Sequence, residues 1–244
     1  MTAHPRRVLL APGYILHHRP YRDTSRILEV LVRDHGRLTL FARGARGPKP
    51  RFGGVLQPFD LLLLSFQVGR EAGQLTAAES AESVPPLPQG SLMAAFYLNE
   101  LLLKLTARHD PMAEVFEDYR RALGGLRSGQ RVQAVLRVFE KRLLEAMGYG
   151  MDLTSEARTG RAIEAGKLYR FRASEGVVPA ADGEADAVAG ESLIALAREE
   201  LPEGRVLEDA RRVLKTALAE RLEGKELATR RVARAVASRG GSRT

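Results

Sequence analysis

Cysteine is absent from all 244 residues, which excludes a disulfide framework and any thiolate metal site. No apolar run reaches the roughly 18 residues that a bilayer span needs. The opening stretch MTAHPRRVLLAPG lacks the sustained apolar core of a signal peptide. The expectation is a soluble cytoplasmic protein. No internal repeat occurs, and no G-x-x-x-x-G-K phosphate loop. Acids are missing over one whole stretch, between Asp34 and Asp60.

What is present is an excess of positive charge. Lysine and arginine outnumber aspartate and glutamate by 38 to 30, a formal net charge of +8. Such a balance favours a nucleic acid or an anionic membrane as partner and says nothing about fold. The length suits one large domain or two to three small ones.

The stretch without acids is the most informative. Leu38, Leu40 and Ala42 alternate with Thr39, Phe41 and Arg43, the two-residue period of a half-buried strand. Gly44, Gly47, Pro48, Pro50, Gly53 and Gly54 then break any regular element. Within that break stand Arg43, Arg46, Lys49 and Arg51. The continuous apolar run Phe59–Phe66 reads as a buried strand. A cationic loop held between two strands is suited to gripping a polyanion.

Other strands are expected over Arg7–Ala11, Gly13–Arg19, Ser25–Val32 and, more weakly, Leu75–Glu82. Asp34-His35-Gly36 is a tight hairpin connection with Gly36 suited to positive φ. About five short strands in roughly 80 residues indicate a small barrel, of OB or SH3-like type. Val84-Pro85-Pro86-Leu87-Pro88 is a stiff linker and the clearest boundary. Beyond it the period becomes helical. Helices are expected over Leu92–Leu105, from Asp110-Pro111 to a stop at Gly124-Gly125, and from Val132 to Gly148. In the last of these Val132, Val135, Leu136, Phe139, Leu143 and Met147 mark the buried face, with Arg137, Lys141 and Arg142 outside it. Two short strands, Lys167–Arg172 and Gly176–Val178, precede an acidic loop from Ala180 to Gly190. Helices follow over Leu193–Glu200 and Val206–Leu222, the second with Leu207, Ala210, Leu214, Ala217 and Leu218 on one face. The class is therefore α+β. Residues 1–83 form the barrel, 84–148 and 191–244 a helical domain, and 149–190 a small separate module.

The basic cluster either solubilises an exposed loop or neutralises phosphates. Phe41 falls on the polar side of its strand's alternation and suits stacking on bases; Phe52 is undecided between stacking and core. Tyr21 and Arg22 beside a turn either pack the loop or meet a strand. On the last helix Arg212 is expected to pair with Glu208, while Arg211 and Lys215 are candidates for phosphate contact. Past Glu226 every charged residue is basic: Arg230, Arg231, Arg234, Arg239 and Arg243. His17, His18, Asp23, Asp34, His35 and Asp60 supply metal-ligand types, but neighbours on a strand point to opposite faces, so His17 and His18 do not converge. No catalytic site is expected.

The order Tyr21-Arg22-Asp23-Thr24-Ser25-Arg26, His35-Gly36, Ala42-Arg43-Gly44-Ala45-Arg46 and Leu56-Gln57-Pro58-Phe59 resembles the RecO family of recombinational repair proteins. Phe139-Glu140 through Leu143-Leu144 to Gly148-Tyr149, and Leu214-Lys215, are similar as well. The resemblance implies an N-terminal OB-fold, a helical domain and a small zinc-binding module after the Gly-Tyr. It implies binding of single- and double-stranded DNA, annealing of complementary strands, and partnership with RecR and the single-strand-binding protein in loading recombinase. It places the protein in the cytoplasm, with the nucleoid. One departure stands out. The family's module carries cysteines, whereas Tyr149–Gly183 has neither cysteine nor histidine; His4, His17, His18, His35 and His109 all lie outside it. The expectation is no metal, no cofactor, and a module held by packing alone. An adaptor that binds protein tails through its helices, or an RNA-binding OB protein, are the other readings.

Overall fold

The computed structural model describes residues 6–46, 48–69, 71–222, 227–229 and 231–232. They divide into two compact units, Met1–Leu123 and Gly124–Thr244. Among the described residues no helix is long and apolar enough to cross a membrane.

The first unit is built on a closed barrel of β1 (Arg7–Tyr21), β2 (Ser25–Val32), β3 (Gly36–Ala42), β4 (Leu62–Gln67) and β5 (Gly73–Ser80) in the order β1-β2-β3-β5-β4. The parallel pairing of β3 with β5, Leu40 opposite Gly73 and Phe41 opposite Gln74, closes it. This is an OB-like Greek-key barrel, and the strand order decides what periodicity left open. Leu28, Val30, Val32, Leu38, Leu40, Leu62, Leu64, Phe66 and Leu75 fill its interior. Each stabilises the fold by about 1.5–3 kcal/mol through burial.

Two strands expected before residue 20 are one. β1 runs through Pro12 and changes partner there, pairing with β4 up to Gly13 and with β2 from Gly13 onward. Proline's missing donor is tolerated at such a switch. Gly13 is what lets both partners approach: an added Cβ would lie 2.8 Å from Leu64 Cδ1 and 3.2 Å from the Leu31 carbonyl oxygen. The hairpin at residues 34–36 forms as expected, with His35 N donating to Val32 O at 3.1 Å. Gly36 has φ +67°, and a Cβ there would meet Asp110 O at 2.0 Å, so glycine is required twice over.

Helix α1 spans Leu92–Leu105, the limits read from its apolar pattern. Its polar interruption Asn99 is buried and bridges: Nδ2 donates to Leu16 O at 2.8 Å and Oδ1 accepts from Tyr119 Oη at 2.5 Å. Helix α2, Ala113–Arg127, departs from expectation at both ends. It starts late because His109 N donates to Arg37 O and the Asp110 backbone packs on Gly36, holding the chain extended. It runs through Gly124-Gly125 because its last turn continues to Ser128 N→Gly124 O at 3.0 Å. Gly125 is there for closeness, since a Cβ would sit 2.8 Å from Gln130 Oε1 and 3.1 Å from Val135 Cγ2. The propensity cost of glycine, about 1 kcal/mol, is outweighed by that packing.

In the second unit α3 (Val132–Ala146), α4 (Gly190–Arg198) and α5 (Arg205–Arg221) pack beside a sheet of β6 (Leu168–Arg172), β7 (Gly176–Pro179) and β8 (Val188–Ala189). β8 lies in the expected acidic loop, and at two residues it is too short for alternation to show. Arg137 and Lys141 were expected outside the buried face of α3 and are instead 5% and 8% exposed. Carboxylates make this possible. Arg137 pairs with Glu140 at 2.7 Å, and Lys141 with Glu145 at 2.9 Å and Glu199 at 3.3 Å. On α5 the buried set includes Asp209 and Val213, whereas Leu207 is half-buried. Asp209 accepts from Ala189 N and Ser192 Oγ, which explains a buried acid on an apolar face.

Candidate nucleic-acid interface

Leu28, Val30, Leu38, Leu40 and Ala42 point into the barrel, so by alternation Ile27, Glu29, Thr39 and Phe41 stand on its outer face. Register aligns Arg19, Ile27, Phe41 and Gln74 in one row across β1, β2, β3 and β5. Gln74 Nε2 donates to Phe41 O at 2.9 Å and fixes the closing pair.

At the end of this row the rings of Tyr21 and Phe41 lie 5.4 Å apart between centroids. The Arg22 guanidinium stands 5.2 Å from the Tyr21 centroid. Arg22 itself has φ +50°, the turn that carries β1 into β2. The basic loop docks on that turn: Arg46 N donates to Thr24 O at 2.8 Å, and its guanidinium reaches Arg22 O at 3.5 Å. Further on, Arg51 N donates to Gly44 O, folding the loop back on itself, and the Arg51 side chain donates to Thr76 O at 3.0 Å.

Phe52, left undecided by the sequence, belongs to the core: it is 7% exposed and packs with Ala45 and Leu56 in the barrel cluster. It pins the loop, so the cations around it project outward. Arg22, Arg43, Arg46, Lys49 and Arg51 are all exposed, and among the described residues no carboxylate pairs with any of them. Phe41 is half-buried against the exposed Tyr21.

The neighbouring part of the face is neutralised internally. Glu29 accepts from Arg37 at 3.2 Å, Arg108 at 2.8 Å and Thr39 Oγ1 at 2.8 Å. Its charge is thereby cancelled where it would repel a phosphate. Burial, the largest influence, lowers the Arg37 pKa, with Glu29 opposing it. Burial, then the Arg26 cation, then His17, lowers the pKa of His18 from that of an ordinary imidazole, which disfavours charge on this ring.

The structure thus brings Arg22, Phe41 and Arg46 together, and sets Arg43, Lys49 and Arg51 on the same loop. Arg211 and Lys215 are exposed on α5 in the second unit, without a carboxylate partner among the described residues. Arg212 is held as a structural residue, but by Ala187 O at 2.6 Å and Asp209 at 3.4 Å rather than by Glu208. Arg230, Arg234, Arg239 and Arg243 lie outside the described residues; Arg231 is exposed. Sequence reasoning missed Arg19 and Gln74 in this row. The hairpin turn at Gly36 dictates Ile27 opposite Phe41, but only the β1 and β5 pairings bring in the other two.

Comparison with known proteins agrees with this architecture. The family model described as Recombination protein O N terminal matches residues 7–84, and that described as Recombination protein O C terminal matches residues 90–231. A protein of Methylococcus capsulatus named DNA repair protein RecO is 43% identical over 230 residues, covering 94% of this chain and 95% of that protein. One of the same name from Nitrosococcus oceani is 42% identical over 226 residues, 92% of each. Another, from Chromobacterium violaceum, is 40% identical over 242 residues, 96% of this chain and 98% of that protein. With both halves matched and relatives covered nearly end to end, the chain belongs to the RecO family of DNA repair proteins.

Proposed function

We propose that the protein is a non-enzymatic DNA-binding mediator of recombinational repair that holds single strands on the outer face of its barrel. The observation that carries this reading is the exposed cluster Arg22, Arg43, Arg46, Lys49 and Arg51, without a carboxylate partner among the described residues, beside the Tyr21–Phe41 ring pair. Guanidinium and ammonium groups neutralise phosphates and release counterions, which supplies affinity without sequence preference. The ring pair offers unpaired bases a stacking surface.

The same charge lowers the repulsion between two phosphate backbones. Complementary strands, single or emerging from duplex DNA, then sample pairing while held together, so annealing needs no nucleotide hydrolysis. Residues 1–83 carry this contact, and Arg211 and Lys215 add phosphate contacts from the helical part formed by 84–148 and 191–244. With RecR, the protein helps to load recombinase onto strands covered by the single-strand-binding protein at the nucleoid. Replacing Arg43, Arg46, Lys49 and Arg51 by glutamate is expected to abolish both DNA binding and accelerated annealing. Retained annealing in that variant would refute the reading.

A second reading rests on Phe96 and Met93, 44% and 41% exposed on α1, with Phe96 edge-on to Phe59 at 5.0 Å. An exposed apolar stripe fits protein contact, as in an adaptor with DNA binding secondary. The charge-reversal variant separates the two, because an adaptor keeps its function without DNA.

A further inference from the structure

The module at residues 149–190 stands where the family resemblance implies zinc, and its donor set does not fit one. A structural zinc site takes thiolate or imidazole ligands, and neither occurs between Tyr149 and Gly183. Among the described residues no three of His, Cys, Asp and Glu converge. Asp152, Glu156, Glu164, Glu175 and Glu184 are engaged in hydrogen bonds of their own.

Asp152 closes the first loop. Its Oδ1 accepts from Thr154 N at 2.9 Å, Thr154 Oγ1 at 2.8 Å and Ser155 N at 3.2 Å, and its Oδ2 accepts from Ser155 Oγ. That turn positions Thr154 O to accept from Ile163 N at 2.9 Å, which folds the loop into a narrow hairpin bridged by Ser155 and Ala162. Glu156 N donates to Arg161 O within it. Glu175, in the turn between β6 and β7, then ties the two loops together. One of its oxygens accepts from Arg158 Nε of the first loop, the other from Arg172 of β6 at 3.2 Å. Beside it Ala157 N donates to Val177 O at 2.8 Å. Beneath lies an apolar floor of Leu153, Ile163, Tyr169 and Val177, each less than a tenth exposed.

A shared metal fastens two loops by drawing ligands from both. We propose that Asp152 and Glu175 do this fastening in its place, so that the module folds without metal and loosens when either carboxylate is removed. Packing, the expectation from the sequence, is then joined by charge-assisted hydrogen bonds that hold the loop.

Amide hydrogen exchange on the full chain, read by peptide mass, tests this together with metal analysis of the purified protein. Expected are no bound zinc, and protection of residues 152–179 that EDTA leaves unchanged. Asp152→Ala and Glu175→Gln should each speed exchange there about tenfold, with barrel amides unchanged. Asp152→Asn, which keeps size and one acceptor oxygen, serves if the alanine variant fails to fold, and should give a smaller acceleration. Stoichiometric zinc whose removal strips protection, or variants exchanging as the parent does, would overturn the proposal.

Discussion

The Tyr21 ring lies 5.4 Å from that of Phe41, tilted by 50°, and joins the end of β1 to the end of β3. Nothing in the spacing of these residues along the chain announces the contact; the pairing of β2 with both β1 and β3 brings one ring to the other. Because Tyr21 is 36% exposed, it is removable without opening the core. Tyr21→Ala is expected to weaken single-strand binding by about 1–3 kcal/mol, the worth of one stacked base. Duplex affinity, measured on the same sequence, should fall less.

Salt dependence measures how many loop cations meet phosphate. If Arg43, Arg46, Lys49 and Arg51 all do so on a single strand, the logarithm of the binding constant should fall with that of salt at a slope of roughly −3, from about −0.7 per contact. Each replacement by alanine should flatten the slope by about 0.7. A titration series with each single variant reads this directly. A variant that loses affinity at unchanged slope would assign its residue to packing.

Asn99 offers a stability test. Asn99→Leu would deprive the Leu16 carbonyl and the Tyr119 hydroxyl of the partner each has in the buried bridge. A buried polar group left without a partner costs about 1–3 kcal/mol. The thermal midpoint should drop by several degrees, and α1 should become the first helix of its unit to exchange.

Hydrogen bonds from Ser155 and then Thr154 hold the Asp152 carboxyl at about 2, below the ordinary 3.8. The unfolded loop therefore binds a proton at higher pH than the folded one. The stabilisation from this turn is present in full above the ordinary value and is lost as pH falls through about 2. Asp152 is largely solvent-exposed, so the effect is confined to its own loop. Exchange of the Thr154 and Ser155 amides between pH 5 and pH 2, corrected for intrinsic rates, should show protection falling towards acid, and Asp152→Ala should remove that dependence.

The sequence by itself determined whatever depends on neighbours along the chain. Alternation over Ser25–Val32 and the Gly36 turn specify β2, β3 and their register; the apolar pattern of Leu92–Leu105 specifies α1; glycine and proline force the loop of Arg43, Arg46, Lys49 and Arg51 outward. These are short-range matters of period, turn geometry and charge. Only the tertiary structure decided which partner closes the barrel, that β1 continues through Pro12, that Phe52 goes inward, and that Arg137 and Lys141 are buried. Each of those depends on a group distant in sequence or on another turn of structure: β5 against β3, β4 against the first half of β1, the core cluster around Phe52, Glu199 beside Lys141. A strand's period shows which face is apolar and carries no information on what will cover it, so those choices wait on the contacts that only the folded chain makes.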